Sequence, residues 1–205
     1  ASTEPVREAH TGTKVLAAAA VSADVSERLA LFARAGLEQP RAVIAAPTVY
    51  ASVVAKISAV RAASGGAVLV VDHGHEHTNL CVVHQGRVAY ARTLSRGGRQ
   101  VTCAIAKAWS LPFADAERAK HTDGFVASAN NPPPSTAWAR ISDVVSKTLT
   151  PLLREMRQTL VACRAHTGVI PELVLVCGGG SRLRGFVELV EEHLGLPVVT
   201  VGVDD

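Results

Sequence analysis

Val68–Leu80 reads VLVVDHGHEHTNL, a run of four apolar residues that leads into Asp72 and then into a turn at Gly74. The pattern predicts a buried β-strand that delivers a carboxylate to a glycine turn, a common way to place a carboxylate near a phosphate or a metal ion. Leu173–Gly180 (LVLVCGGG) repeats the device with three consecutive glycines. Two strand-to-glycine turns in one chain predict a cleft.

The composition of the 205 residues is that of an α/β chain without a strong charge bias. Hydrophobic residues make up 48% and aromatic residues only 4%, which suits helices packed on a parallel or mixed sheet. A net charge of +3 is too small to indicate nucleic acid or an anionic membrane surface as a partner. The sequence has no signal-peptide pattern and no initiator Met, so we expect a soluble piece of a longer protein.

The four cysteines are scattered along the chain and form no CxxC pair. Each lies in an apolar context, which predicts reduced and buried thiols and a cytosolic setting. They are Cys81, Cys103, Cys163 and Cys177.

The region before the Val68–Asp72 strand predicts a small β-α-β unit. Lys14–Val21 suits a strand or a helix by propensity. Asp24 with Glu27 three residues later forms the pattern of a capping box, and Gly36 is placed to end the helix that follows. Ala42–Ala46 then predicts a short strand.

A connecting helix and a domain boundary come next. Pro47–Ala63 has a helical period, with an apolar stripe of Val49, Val53, Ile57 and Val60. Ser64–Gly66 breaks this pattern. We therefore predict two domains: residues 1–64, a small inserted subdomain with its connecting helix, and residues 65–205, a second lobe with a helical and loop insertion at about 95–150.

Beyond Asp72 the sequence predicts a three-stranded meander followed by helices. Asn79–Val83 and Arg87–Leu94 flank a turn at Gln85–Gly86 and therefore predict a hairpin. We further expect helices at Arg99–Trp109, Pro112–Lys120 and Phe186–Leu194, and strands at Leu173–Cys177 and Pro197–Val201.

Two segments between these elements depend on proline. His121–Thr136, with three consecutive prolines, predicts an exposed loop that does not pack. Ser135–Ala165 keeps a helical period, in which Pro151 either kinks one helix or begins a second helix capped by Thr148 or Thr150.

The residues at the two glycine turns have two interpretations each. Asp72, Gly74 and Thr78 form either a phosphate-binding hairpin, in which the aspartate orients a hydrated Mg²⁺, or a strand end with a polar turn. Gly178–Gly180 either brings backbone close to a pyrophosphate or a flat ligand, or forms a tight turn that needs positive φ. The cluster Ser181, Arg182 and Arg184 either contacts a phosphate or ribose, or is a solvated helix start.

Three alternating histidines, His73, His75 and His77, raise a metal-binding alternative, because alternate strand residues point the same way. Gly74 bends the chain within this set, which favours solvent-facing turn histidines instead. No spacing of Ser, His and Asp singles out a nucleophile and its base, so we predict no catalytic residues.

Taken together, these stretches resemble the PilM-type pilus-assembly family. Val70–Trp109 and Phe113–Lys120 (FADAERAK) are similar to its Asp-Ile-Gly-x-x-x-Thr-Asn hairpin, Gly-Gly helix start and Ala-Glu-x-x-Lys helix. Leu173–Val198 is similar to its later Cys-Gly-Gly-Gly-Ser/Ala-x-Leu-x-Gly segment, and Lys14–Ala51 to its small inserted subdomain.

The resemblance implies an α/β, actin-like (ribonuclease H-like) fold, here a mixed sheet flanked by helices plus the β-α-β subdomain. It places Asp72, Gly74, Thr78 and Asn79 on the second phosphate-binding hairpin, and Gly178, Gly179 and Gly180 on the adenosine motif. The secretion component GspL is a near relative. ATP with Mg²⁺ is implied for the complete protein, and none is expected in this chain.

Two departures from the family pattern bear on activity. His73 replaces the usual aliphatic residue after the aspartate. The first phosphate-binding hairpin is not found before Lys14, so we expect the first lobe to be missing. Phosphoryl transfer in this fold needs the phosphates and Mg²⁺ held from both sides, and we therefore expect no ATP hydrolysis.

Three functions are compatible with the sequence. The first is a scaffold of a type IV pilus or type II secretion platform, at the cytoplasmic face of the bacterial inner membrane. Its expected partners are the cytoplasmic tail of an inner-membrane protein and the assembly ATPase, and a homodimer stays open. The second is an actin-fold ATPase or phosphotransferase completed by another lobe, and the third is a metal-binding domain.

Overall fold

The computed structural model describes residues 20–41, 44, 46–57 and 66–201. The chain divides into two compact units, residues 1–45 and 46–205. All but the last two residues of Lys14–Val21, and most of the strand predicted at Ala42–Ala46, lie outside the described residues. Residues 64 and 65 of the predicted break lie outside them as well. The division of the chain into domains at residue 64 stays a prediction.

The first unit contains helix α1 (Ser22–Arg34). The predicted capping box is wrong, because the helix begins before Asp24 and no side chain caps it. Asp24 instead lies in the first turn, where its negative charge interacts favourably with the positive end of the helix dipole. Gly36 ends the helix as expected, with φ 68°, and the amide of Leu37 donates to the carbonyl of Phe32 at 2.9 Å.

The second unit is built on one five-stranded mixed sheet. Its strands are β1 (Ala67–His73), β2 (Thr78–His84), β3 (Arg87–Leu94), β4 (Pro171–Cys177) and β5 (Val198–Thr200), in the order β3-β2-β1-β4-β5. The first three are antiparallel, and β4 and β5 run parallel to β1. The predicted meander is confirmed, since Gln85 and Gly86 both have positive φ and form the turn.

Helices cover both faces of this sheet. They are α2 (Ala46–Val54), α3 (Gly98–Trp109), α4 (Phe113–Asp123), α5 (Thr136–Thr167) and α6 (Phe186–Leu194), with a 3₁₀ turn at Gly179–Arg182. Because side chains alternate along a strand, Leu69 and Val71 pack under α3, α5 and α6, while Val68 and Val70 pack against α2. The predicted α/β class is confirmed.

Helix α2 differs from its prediction. It ends at Val54 rather than Ala63, although residues 58–63 lie outside the described part. Tyr50 and Val54 are buried, whereas Val49, a member of the predicted stripe, is 39% exposed. The predicted stripe is right for Val53 and Ile57, which pack on the same core as Tyr50 and Val54, and it missed Tyr50.

The predicted exposed loop at His121–Thr136 is partly wrong. Helix α4 continues to Asp123, and the next apolar residues, Phe125 and Val126, are buried. The Val126 amide donates to the carbonyl of Arg184 at 2.9 Å, so the segment is held by a partner distant in sequence. The three prolines themselves are exposed.

Helix α5 is one continuous helix that contains Pro151. Thr148 and Thr150 do not cap a second helix, because their hydroxyls donate back to the carbonyls of Val144 and Ser146, each at 2.8 Å. Despite its length, neither α5 nor any other helix among the described residues has the apolar character needed to cross a membrane.

The cysteines are free, but not all are buried. Cys81 and Cys163 are buried and Cys177 is half-buried, whereas Cys103 is exposed on α3. The prediction is wrong for Cys103, because the neighbours that face the core from this helix are Val101, Thr102 and Ile105.

Candidate functional site

The two glycine turns meet at one edge of the sheet. β1 and β4 are parallel neighbours, and Asp72 pairs in register with Cys177, the residue before the triple glycine. Gly178 has φ 87°, and a side chain there would overlap Asp72 and the backbone of His73. The fold therefore brings Asp72 and Gly178–Gly180 together, as the cleft hypothesis requires.

Asp72 is already hydrogen-bonded within the protein. The Tyr50 hydroxyl of α2 donates to its Oδ2 at 2.6 Å, and the Asn79 amide lies 3.4 Å from the same oxygen. Thr93 in turn donates to Asn79 Oδ1 at 2.8 Å. Burial and the bond to Asp72 both raise the pKa of Tyr50. Sequence reasoning missed Tyr50, whose only signal is that it is the one aromatic residue of α2.

His73, the residue that departs from the family pattern, is buried at 1% exposure. Its ring stacks on Phe186 with centroids 4.7 Å apart, and its Nδ1 lies 2.8 Å from Thr78 Oγ1. The Thr78 hydroxyl donates to the carbonyl of Arg96 at 2.7 Å, so it can only accept from His73. His73 is therefore protonated on Nδ1, and Thr78 has no proton left for a ligand.

The imidazole of His73 is held in its neutral form. Burial lowers the pKa of His73 to about 4, and the positive charge of Lys120 adds to this, while Asp72 opposes it. A neutral, buried imidazole is compatible with a position at which the family pattern has an aliphatic side chain.

The tip of the β1–β2 hairpin also caps a helix. The Gly74 amide donates to the His77 carbonyl at 2.9 Å and closes the turn. The carbonyls of Gly74 and His75 accept from the amides of Gly98 and Arg99, at 2.9 and 2.8 Å, and so satisfy the start of α3. Among the described residues, the amides of positions 75–77 have no acceptor, and they are the part of the hairpin that could cup an anion.

The three histidines do not converge. β1 ends at His73, whose ring faces Phe186, whereas His75 is about half exposed and lies edge-on to Phe113, with centroids 6.4 Å apart. The described part of the chain contains no group of three or more His, Cys, Asp or Glu side chains placed to hold a metal ion.

The glycines of the second turn have different surroundings. A Cβ at Gly180 would overlap the ring of His73, so this glycine is required by the close approach of the turn to β1. A Cβ at Gly179 would meet nothing within 4 Å. A cavity of about 190 Å³ adjoins the turn and is lined by His73, Gly179, Gly180, Lys120, His121 and Arg182, among others.

Lys120 and Glu117 of α4 form a half-buried ion pair beside this cavity. Lys120 Nζ lies 2.8 and 2.9 Å from the two Glu117 oxygens and 3.0 Å from Thr102 Oγ1, and its side chain is 11% exposed. Burial alone would raise the pKa of Glu117, but the hydrogen bonds from Lys120 and Thr102 lower it to about 2. The sequence signal was the Ala-Glu-x-x-Lys pattern, which predicted a helix but no site residue.

Mg²⁺·ATP, which the expected fold implies, fits these residues only in part. The hairpin amides and the open space at Gly179 could accept a phosphate or a flat ligand. Oδ2 of Asp72 and the hydroxyl of Thr78 are engaged within the protein, and Lys120 is neutralised by Glu117. The site can offer backbone donors, but only one of the two Asp72 oxygens lacks a hydrogen bond to a described residue.

Comparison with known proteins identifies a matching family and similar solved structures. A sequence model of the family described as "Type IV pilus assembly protein PilM" matches residues 2–203. A solved PilM–PilN type IV pilus biogenesis complex is 28% identical, with a TM-score of 0.70 over 87% of this chain. No curated protein sequence gives a significant match.

Two further solved structures share the fold. MreB5 of Spiroplasma citri bound to AMPPNP is 16% identical over 88% of the chain, with a TM-score of 0.64. The ethanolamine utilization protein EutJ of Carboxydothermus hydrogenoformans is 21% identical over 83%, with a TM-score of 0.55. The chain spans 47% of the PilM structure, 60% of MreB5 and 54% of EutJ.

Proposed function

The chain belongs to the PilM family of type IV pilus assembly proteins, and we propose that it serves there as a non-catalytic scaffold with an actin-like fold. The observation that carries the proposal is the family match over residues 2–203, together with the likeness to a PilM–PilN complex. The pilus, rather than a type II secretion system, is the assembly that the family description names.

The proposed partner is the cytoplasmic tail of an inner-membrane pilus protein of the PilN type, which places the chain at the cytoplasmic face of the inner membrane. The solved relative contains PilM together with PilN, which supports this choice of partner. The assembly ATPase is a further proposed contact.

We also propose that this chain binds Mg²⁺·ATP weakly and does not hydrolyse it. Tyr50 donates to Asp72 Oδ2 at 2.6 Å, so a hydrated cation would compete with the Tyr50 hydroxyl for that oxygen. The proton of Thr78 is committed to a backbone carbonyl, and Lys120 is paired with Glu117. An actin-fold ATPase is the alternative, and it requires the opposite outcome in the nucleotide experiment.

Isothermal titration tests both parts. A synthetic peptide of the cytoplasmic tail of the PilN-type protein from the same genome should bind the chain, while a scrambled peptide of equal charge should not. Mg²⁺·ATP at millimolar concentration should give little heat and no phosphate release above buffer. Absence of tail binding contradicts the scaffold, and steady phosphate release abolished by Asp72→Ala supports the ATPase.

A further inference from the structure

An apolar groove of about 380 Å³ opens between helices α3, α4 and α5. It shares none of its lining residues with the cavity at the glycine turn. Its floor includes Ile105, which is 4% exposed, together with Ile141 and Ala119. Trp109 and Leu111 also line it, and Leu111 is 36% exposed. The groove therefore presents apolar side chains to solvent at a place unconnected with the candidate nucleotide site.

The walls of the groove restrict how an occupant could bind. All three walls are helices, or the residues that directly follow them, whose backbone groups are used within the helices. An added β-strand would find no partner there, so affinity must come from inserted side chains. The volume is at the lower end of that of ligand sites, which suits a few side chains rather than a folded domain.

Two charged residues of opposite sign line the same groove, Asp123 at the end of α4 and Arg140 in the first turns of α5. Asp123 accepts a hydrogen bond from Thr122 at 2.7 Å and forms no ion pair with another described residue. The side chain of Arg140 forms no ion pair or hydrogen bond with a described residue.

Neighbouring acidic residues on the two helices behave differently. On α4, Glu117 is paired with Lys120 at 2.8 Å, and on α5, Asp143 is paired with Lys147 at 2.7 Å. The charges beside the groove are thus left without the local partners that their neighbours have. The groove therefore has an apolar floor with a negative charge on one side and a positive charge on the other. It is complementary to a segment whose apolar residues are flanked by one basic and one acidic residue.

We propose that this groove docks a short amphipathic segment of a partner protein, which inserts aliphatic or aromatic side chains and directs an acidic residue to Arg140 and a basic residue to Asp123. A second copy of the chain is the competing occupant, and the sedimentation measurement described below distinguishes it from a peptide segment. The proposal goes beyond the scaffold function and requires neither the pilus tail nor a nucleotide.

Selection of peptides from a random twelve-residue phage library on the 205-residue chain provides the probe. The chain has two tryptophans, and Trp138→Phe leaves Trp109 in the groove as the single reporter. A synthetic peptide of the selected consensus is then titrated by Trp109 fluorescence. We expect apolar residues flanked by one acidic and one basic residue, and a change of emission that saturates at one peptide per chain.

Two variants test the location and the charges. Ala137→Trp fills the groove from an exposed position at the start of α5 and should weaken binding at least about tenfold, with an unchanged circular dichroism spectrum. Because it adds a tryptophan, its peptide affinity is measured by calorimetry, beside the parent chain. Arg140→Glu should weaken the consensus peptide, and a peptide whose acidic residue is changed to lysine should regain affinity for it. Arg154→Glu, on the exposed side of the same helix outside the groove, is the matched control and should bind like the parent chain.

The proposal is overturned if the consensus lacks the two charges, or if the peptide binds the Ala137→Trp chain as tightly as the parent. It is also overturned if sedimentation shows a dimer that Ala137→Trp abolishes, since a second copy would then be the occupant. Loss of binding by the pilus tail in the earlier titration, with intact binding by the selected peptide, would contradict the scaffold proposal alone.

Discussion

Replacing His73 with isoleucine is expected to make the folded chain more resistant to acid. In the folded chain the pKa of His73 is lowered to about 4 by burial. An unfolded chain exposes the same imidazole, whose ordinary pKa is about 6.5. Between these pH values the imidazole is protonated in the unfolded chain but not in the folded chain, so the free energy of unfolding falls as the pH falls from 6.5 to 4.

The size of this effect follows from the two pKa values. One pKa unit corresponds to 1.36 kcal/mol, so His73 lowers the free energy of unfolding by about 0.8 kcal/mol at pH 6 and about 2 kcal/mol at pH 5. Isoleucine does not titrate and therefore removes this loss. It also removes the hydrogen bond to Thr78, but that contribution is independent of pH over this range.

Urea denaturation at pH 7, 6 and 5, followed by tryptophan fluorescence, measures the difference between the two proteins. The stability of the variant relative to the parent should rise by about 1.8 kcal/mol from pH 7 to pH 5. His75→Ile makes the same change at an exposed position two residues away and should follow the parent. A constant difference between parent and His73→Ile across these pH values would refute the assignment of His73 as a buried neutral histidine.

Three further outcomes follow from the site. Tyr50→Phe and Asp72→Asn should each lower the free energy of unfolding by about 1–2 kcal/mol. In a double-mutant cycle the coupling energy between them should exceed about 0.5 kcal/mol, and strictly additive effects would contradict the 2.6 Å hydrogen bond. Glu117→Gln removes the ion-pair partner of Lys120, so thermal unfolding at pH 7 should show the variant to be less stable than the parent. Because the pKa of Glu117 is about 2 in the folded chain, the parent loses this stability as the pH falls below about 4.5, and the difference between the two proteins should shrink. Tyr50→Phe should also increase the calorimetric heat of Mg²⁺ binding by removing the donor to Oδ2 of Asp72, and an identical absence of heat in parent and variant would show that Tyr50 does not limit cation binding.

Local patterns predicted the elements around the site well. The continuous apolar run at β1, the Gln85–Gly86 turn and the LVLVCGGG stretch carry their strand and turn preferences within a few neighbouring residues. The loop after α4 was misread because the burial of Val126 depends on the carbonyl of Arg184, which no local pattern reports.

The candidate site shows the same limit. Asp72 and the three glycines could be placed at one edge from the parallel order of their strands, but the partner of Asp72 could not. Tyr50 reaches it from a helix of a different segment, and the predicted apolar stripe of that helix did not include Tyr50.

The sequence by itself determined the strands, the two glycine turns and the likeness to the PilM family, because these depend on residue type and spacing along the chain. The tertiary structure decided which polar groups at the turns remain free. A carboxylate, a hydroxyl or an imidazole binds whatever donor or acceptor the fold brings within about 3 Å, and that partner is set by packing between distant segments. At Asp72 that partner is Tyr50, and at Thr78 it is His73 together with the carbonyl of Arg96.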